Sequence, residues 1–254
     1  MTPRCTDLAG SVVVVTGASR ALGAATARAF AENGARVVVS GRDRPAINEV
    51  VAGIRRDGGT AIGIRADVTN IEELHSLREE TETALGPTDI LLAFAGGGGE
   101  PAPTLGLSDE QWRLAIDANL TATFLTLQEF LPGMVERGHG SIVTMASAAA
   151  RQPARSNVGY AAAKAGVIAM TRHLANELGP CGIRANCIAP SAVVNERMSA
   201  AMTDDAITAL GNTFPLRRVG QPSDVAEAAL YLASESAGWI TGVVLDVAGG
   251  KIMV

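Results

Sequence analysis

The sequence predicts an α/β fold: a single domain built as a doubly wound, seven-stranded parallel sheet with helices on both faces. Three observations predict it. Apolar, β-branched runs of strand length recur seven times, and stretches with helical content fall between them. Several of the runs are uninterrupted rather than alternating, as strands covered on both faces require. No linker, repeat or low-complexity segment divides the 254 residues, and a chain of that length buries a large core.

Taken in order, SVVVVT at 11 reads as the first strand and runs straight into the turn TGASRALG, residues 16–23, ahead of a helix over 22–33. RVVVS at 36 and a helix over 44–57 follow, then AIGIRA at 61 and a helix over 71–85. DILLAF at 89 precedes a long helical stretch over 108–137, and GSIVTM at 140 precedes another over 157–179. IRANCIA at 183 is the sixth strand, and VVLDV at 243 is the seventh, after a helix over 223–233. One long irregular region remains, residues 190–222, from PSAVVNERM to FPLRRVGQP. A loop of that length in a compact domain reads as a lid or binding segment that substrate meets.

Composition narrows the function. Hydrophobic residues make up 47% and charged residues 19%, which excludes disorder, and no apolar run approaches the roughly 20 residues that span a bilayer. The stretch MTPRCTDLAG has a charge and a proline where an export signal needs continuous apolar residues, so a cytoplasmic location is expected. Cys5, Cys181 and Cys187 have neither disulfide nor CxxC spacing and read as reduced packing residues. His75, His139 and His173 are scattered, so no metal site is expected, and His173 reads as a solvated helix residue. A net charge of −5 argues against nucleic acid as a partner. Anionic ligands must then be held locally.

Two segments carry candidate chemistry. The turn at 16–23 joins strand to helix, where backbone amides and the helix dipole hold a phosphate without net basic charge, with Gly17 and Gly23 giving the tight turn and close approach. It is the first strand-to-helix turn of an alternating chain, the place where doubly wound folds bind dinucleotides. The stretch VGYAAAKAG, residues 158–166, puts Tyr160 and Lys164 one above the other on one helix face. In isolation that pair also fits a buried helix whose lysine snorkels to water.

Over essentially the whole chain, from the turn at 16 to ITGVVLDVAGG at 240–250, the sequence resembles the short-chain dehydrogenases/reductases, whose fold is of Rossmann type. Their TGxxxGxG turn appears here with Ala21 at the middle glycine, and their NNAG motif appears as AFAG, Ala93–Gly96. The resemblance implies a catalytic tetrad. Ser147 stands thirteen residues before Tyr160, as the family's serine does, and Asn119 in DANLTATF fits its asparagine. It implies that Tyr160 donates the proton, that Lys164 lowers the phenol's pKa and binds the nicotinamide ribose, that Ser147 hydrogen-bonds the substrate carbonyl, and that Asn119 holds a water leading to solvent.

The resemblance also places Gly17, Ser19, Arg20, Leu22, Gly23, Asp67, Val68, Ala95, Gly96, Pro190 and Val193 at the cofactor. NAD-preferring members have an acid where Gly41 stands. With Arg42 beside that gap and Arg20 in the turn, two guanidiniums are expected to clamp a 2′-phosphate, so NADP(H) is the implied cofactor. The family's glycine and threonine past Pro190 are here Ser191 and Asn195.

By overall pattern, including the GGKIMV terminus, the chain is nearest to the 3-oxoacyl carrier-protein reductases. Those need a basic surface to dock an acidic carrier. Arg172 and Arg137 are the candidates here, and Asn176 and Cys181 stand where further arginines are expected. The expected function is NADPH-dependent reduction of a ketone. A carrier-protein reductase, an NAD-dependent alcohol or sugar dehydrogenase, and a nicotinamide-sensing regulator are the alternatives. The long, alanine-rich helices at 108–137 and 157–179 correspond to those that pair in the family, so a homotetramer is expected.

Overall fold

The structure, a computed structural model, describes residues 5–253. Residues 1–4 and 254, which include part of the N-terminal stretch and of the GGKIMV terminus, lie outside the described residues. All seven expected strands form: β1 (Val12–Thr16), β2 (Arg36–Gly41), β3 (Thr60–Arg65), β4 (Ile90–Ala93), β5 (Gly140–Met145), β6 (Ile183–Pro190) and β7 (Val244–Val247). They make one parallel sheet in the order β3-β2-β1-β4-β5-β6-β7. The chain winds outward from β1 to β3 and then crosses back to begin β4 beside β1. That reversal opens a crevice at the carboxyl ends of β1 and β4.

The uninterrupted apolar runs are explained by the two cores. Val13 and Val15 point into one cluster, with Phe30 and Leu230, while Val14 points into the other, with Leu91, Leu127 and Phe130. Val12–Val15 are all fully buried, so each valine contributes about 1.5–3 kcal/mol of burial. A polar residue at any of them would lose that packing and leave an unpaired group inside.

The helices are α1 (Ala21–Glu32), α2 (Arg44–Arg56), α3 (Ile71–Leu85), α4 (Asp109–Ile116), α5 (Ala122–Arg137), α6 (Val158–Leu178), α7 (Glu196–Ala201), α8 (Asp204–Gly211) and α9 (Pro222–Ala233). Two expectations need correction. The stretch 108–137 is not one regular helix, because a five-residue π turn, Asp117–Thr121, separates α4 from α5. The region 190–222 is not irregular throughout. It holds α7, capped by Asn195, and α8, capped by Thr203, and a bridge between Val193 and Gly220 closes its base. Helices of six and eight residues are too short to show an apolar period, and their caps are their only local signal. Among the described residues no helix is long and apolar enough to cross a membrane.

Candidate active site

A cleft of about 1010 Å³ lies across the carboxyl ends of β1 to β4. Nine residues expected at the cofactor line it: Gly17, Ser19, Arg20, Gly41, Arg42, Asp67, Val68, Ala95 and Gly96. Six others lie apart from its lining: Tyr160 and Lys164, on α6, and four more. Leu22 packs on the core below the sheet, Gly23 supports the turn, Pro190 ends β6, and Val193 is buried at its bridge with Gly220.

The floor of the cleft is closely built. Gly17 has φ +67°, and a Cβ there would come within 2.8 Å of Ala95 Cα. A Cβ at Gly23 would come within 2.3 Å of the Gly17 carbonyl oxygen. Thr16 Oγ1 ties β1 to β4 by accepting from Phe94 N–H at 3.1 Å and Ala95 N–H at 3.2 Å. Ala21, where the family has a glycine, takes φ +44°, a left-handed conformation that strains an alanine by about 1–2 kcal/mol.

Arg20, the residue that starts α1, lines the cleft, and α1 has no side-chain cap. Its N–H donors are thus left for an anion. A dinucleotide fits this floor: its pyrophosphate would lie on the α1 terminus and its adenosine between Gly41, Asp67 and Ala95.

At the far end, Ser147 follows β5, and Tyr160 and Lys164 share a face of α6. Asn157 starts that helix: its Oδ1 accepts from Tyr160 N–H at 2.8 Å. Its Nδ2 donates to the carbonyls of Gly98 at 3.2 Å and Glu100 at 3.0 Å. One side chain therefore fixes both the tyrosine's helix and the loop after β4. That loop lies against the phenol, since a Cβ at Gly99 would come within 2.8 Å of the ring. Asn119 is fully buried in the π turn, and its amide clasps the same loop, accepting from Gly97 N–H at 3.0 Å and donating to Gly97 C=O at 2.9 Å. A Cβ at Gly96 would strike both Asn119 Oδ1, at 2.6 Å, and Lys164 Nζ, at 3.1 Å. The asparagine and the ammonium are thus neighbours across that glycine.

Lys164 Nζ donates to the Met145 carbonyl at 2.8 Å and stands 5.8 Å from the Tyr160 ring centre. Burial lowers its pKa to about 8, with Cys187 pulling weakly the other way. The expectation that this cation brings the phenol down is not met. Burial raises the Tyr160 pKa, and a hydrogen bond with Ser147 opposes it without prevailing. The first cause is the phenol's own desolvation, while the Lys164 ammonium is hydrogen-bonded to the Met145 carbonyl. The loosely held proton of the pair is therefore on the lysine.

At the adenosine end every charged group is partnered. Arg20 pairs with Asp43 at 2.5 Å and stands 3.8 Å from Glu196, while Arg42 stands 3.8 Å from Asp67. Asn195, at the position of the family's threonine, is the cap of α7. The sequence reading missed Asp43, Asn157, Thr16 and Gly97–Gly99. Two signals were available: four consecutive glycines at 96–99 directly after a strand, and an asparagine three residues ahead of a helical tyrosine.

A dinucleotide crevice beside a half-buried tyrosine, a buried lysine and a serine defines an oxidoreductase that works on hydroxyl and carbonyl groups with a nicotinamide cofactor. Comparison with known proteins agrees. A family model described as enoyl-(acyl carrier protein) reductase matches residues 17–251. The 7α-hydroxysteroid dehydrogenase of Escherichia coli (strain K12) is 37% identical over 245 residues, covering 96% of this chain and 95% of the relative. A 7α-hydroxysteroid dehydrogenase structure solved with NADH and 7-oxo glycochenodeoxycholic acid superposes with a TM-score of 0.90 at 36% identity, covering 98% of this chain and 97% of that one. A 3-oxoacyl-[acyl-carrier protein] reductase of Brucella melitensis gives a TM-score of 0.91 at 32% identity, covering 98% and 94%. The chain belongs to the short-chain dehydrogenase/reductase family.

Proposed function

We propose that the protein interconverts a ketone and a secondary alcohol, with NADP(H) as the preferred cofactor and Tyr160 as the proton donor. The observation that carries this reading is the set of contacts around the 96–99 loop, where Gly99 lies against the Tyr160 ring and Gly96 against Asn119 and the buried Lys164, next to the cleft. Bound there, the nicotinamide dinucleotide supplies the hydride. Ser147 Oγ holds the substrate oxygen and stabilises the charge growing on it. Tyr160 gives its phenolic proton to that oxygen, and Lys164, whose pKa near 8 keeps it largely charged at neutral pH, stabilises the phenolate left behind. Asn119 keeps the 96–99 loop against the phenol, and a water beside it would return the proton from solvent.

The 7-oxo steroid named for the structural relative favours a carbonyl on an apolar skeleton of ring size as the substrate class. NADP(H) is supported by the absence of an acid at Gly41 and by Arg20 and Arg42 on the cleft wall. A second reading, NAD(H), is favoured by the Asp43–Arg20 pair, which occupies one of those arginines. Carrier-protein docking loses support, because Arg137 donates to the Thr88 carbonyl, at the amino end of β4 and away from the cleft mouth. A homotetramer remains part of the proposal, supported by Trp112, Phe124 and Val158, each more than two-fifths exposed along α4 to α6. Sedimentation showing only monomer at micromolar concentration would remove that part.

The functional test is a panel of cyclic ketones, β-ketoesters and acyl thioesters with NADPH and NADH. Turnover of a ketone, faster with NADPH, is expected. Cofactor binding without turnover of any compound would favour the sensing regulator.

A further inference from the structure

The wall that faces the adenosine ribose is not the simple pair of arginines expected from the sequence. Asp43 lies two residues past Gly41, at the N-terminus of α2, and lines the same cleft. Its two oxygens have separate tasks. Oδ1 accepts from Ala46 N–H at 3.1 Å and caps the helix, while Oδ2 takes Arg20 Nη2 at 2.5 Å. The Ala46 amide and Arg20 hold this carboxyl below the usual carboxylate range, so it is ionised at neutral pH.

Around it, Glu196 stands 3.8 Å from Arg20 Nη1, and Asp67 stands 3.8 Å from Arg42 Nη1. Arg44, next along the chain, is turned onto the Gly63 carbonyl at 3.2 Å. Asp43 and Glu196 thus stand against Arg20, and Asp67 against Arg42, so each guanidinium on this wall already has a carboxylate near it. A dianionic 2′-phosphate arriving there must draw Arg20 away from a carboxylate that stays nearby. A ribose hydroxyl carries no charge and meets no such opposition.

We propose that Asp43 sets the balance between the two nicotinamide cofactors: its carboxylate holds Arg20 and opposes the 2′-phosphate, and so narrows the preference for NADP(H). The inference deepens the cofactor reading above and rests on the nicotinamide assignment, not on the substrate. Of the two acids beside Arg20, Asp43 dominates because its pair is shorter and its backbone anchor prevents it from swinging away. Glu196, 71% exposed in its side chain and 3.8 Å distant, is the lesser influence.

The test compares binding of 2′,5′-ADP and 5′-AMP by titration calorimetry in the wild-type protein and in Asp43→Asn, since asparagine keeps the helix cap. The variant should bind 2′,5′-ADP roughly five- to tenfold tighter, an advantage that shrinks with added salt, while 5′-AMP binding is unchanged. Asp43→Ser, which also retains a capping oxygen, should behave alike and guards against a folding artefact.

Unchanged 2′,5′-ADP affinity in both variants would overturn the proposal. So would an equal loss of affinity for both nucleotides, since Asp43 would then be a ribose ligand in either cofactor. The cofactor preference is read separately. If wild type binds the two nucleotides equally and the variant gains only on 2′,5′-ADP, the NADP(H) preference fails while the role of Asp43 stands. If wild type strongly prefers 2′,5′-ADP and the variants change nothing, the preference stands and the role of Asp43 fails.

Discussion

The two ends of the cleft are built on opposite principles. At the reactive end Lys164 and Asn119 are buried, and each polar atom is held by backbone: Met145 for the ammonium, Gly97 for the amide, Gly98 and Glu100 for Asn157. At the other end Arg20 and Arg42 are 58% and 77% exposed in their side chains and stand against other side chains. Backbone anchors inside the protein cannot exchange partners, so geometry is fixed and pKa values move far from their usual range. Exposed ion pairs are worth at most about 1 kcal/mol and trade partners freely. On the proposed function, chemistry falls to the rigid end and cofactor choice to the adjustable one.

The largest expected effect breaks the rigid end alone. Tyr160→Phe should lower turnover by roughly 10²–10⁴-fold while leaving NADPH affinity, read by fluorescence titration, within about twofold of wild type. Near wild-type ketone reduction would remove Tyr160 from the chemistry. The same end should show itself in pH dependence. In the proposed mechanism the working form for ketone reduction is the protonated pair, and burial brings Lys164 down to about 8. Below that value the ammonium is charged and the rate is high. As pH rises through it, kcat/KM for reduction should fall, with an apparent pKa belonging to the Tyr160–Lys164 pair. Lys164→Met should lose that limb from whatever activity it retains.

An intermediate effect is expected at the adjustable end. Gly41→Asp combined with Arg42→Ile should weaken NADPH by about tenfold to a hundredfold and leave NADH equal or better, measured as kcat/KM for both at fixed ionic strength. A Cβ at Gly41 would come within 3.2 Å of Ser19 Oγ, a hydroxyl that can rotate aside, so the substitution is tolerable. If the preference does not move, the exposed arginines take no part in cofactor choice and the contrast between the ends collapses.

The smallest effect lies on the floor that joins the two. Ala21→Gly should relieve left-handed strain of about 1–2 kcal/mol against an entropic cost of about 0.4–1 kcal/mol in the unfolded chain. A net stabilisation below about 1.5 kcal/mol follows, visible in urea denaturation. A destabilised variant would mean that the Ala21 methyl contributes packing that outweighs its strain.

While Ser147 was placed by the family resemblance, the sequence by itself determined the seven strands, the crevice at the first turn, and the shared helix face of Tyr160 and Lys164. These are local properties: a run of valines buried on both faces, or four residues along a helix, carries its geometry within a few positions of chain. What only the tertiary structure decided involves groups distant in sequence. Asp43 meets Arg20 across 23 positions, and Asn157 meets the carbonyls of Gly98 and Glu100 across 59 and 57. No periodicity announces such encounters. The direction of the Tyr160 pKa was undecidable for the same reason. The sequence places a cation one helical turn away, but whether that cation or desolvation prevails depends on how completely β5, α6 and the glycine loop exclude water, and on which oxygen the ammonium finds first.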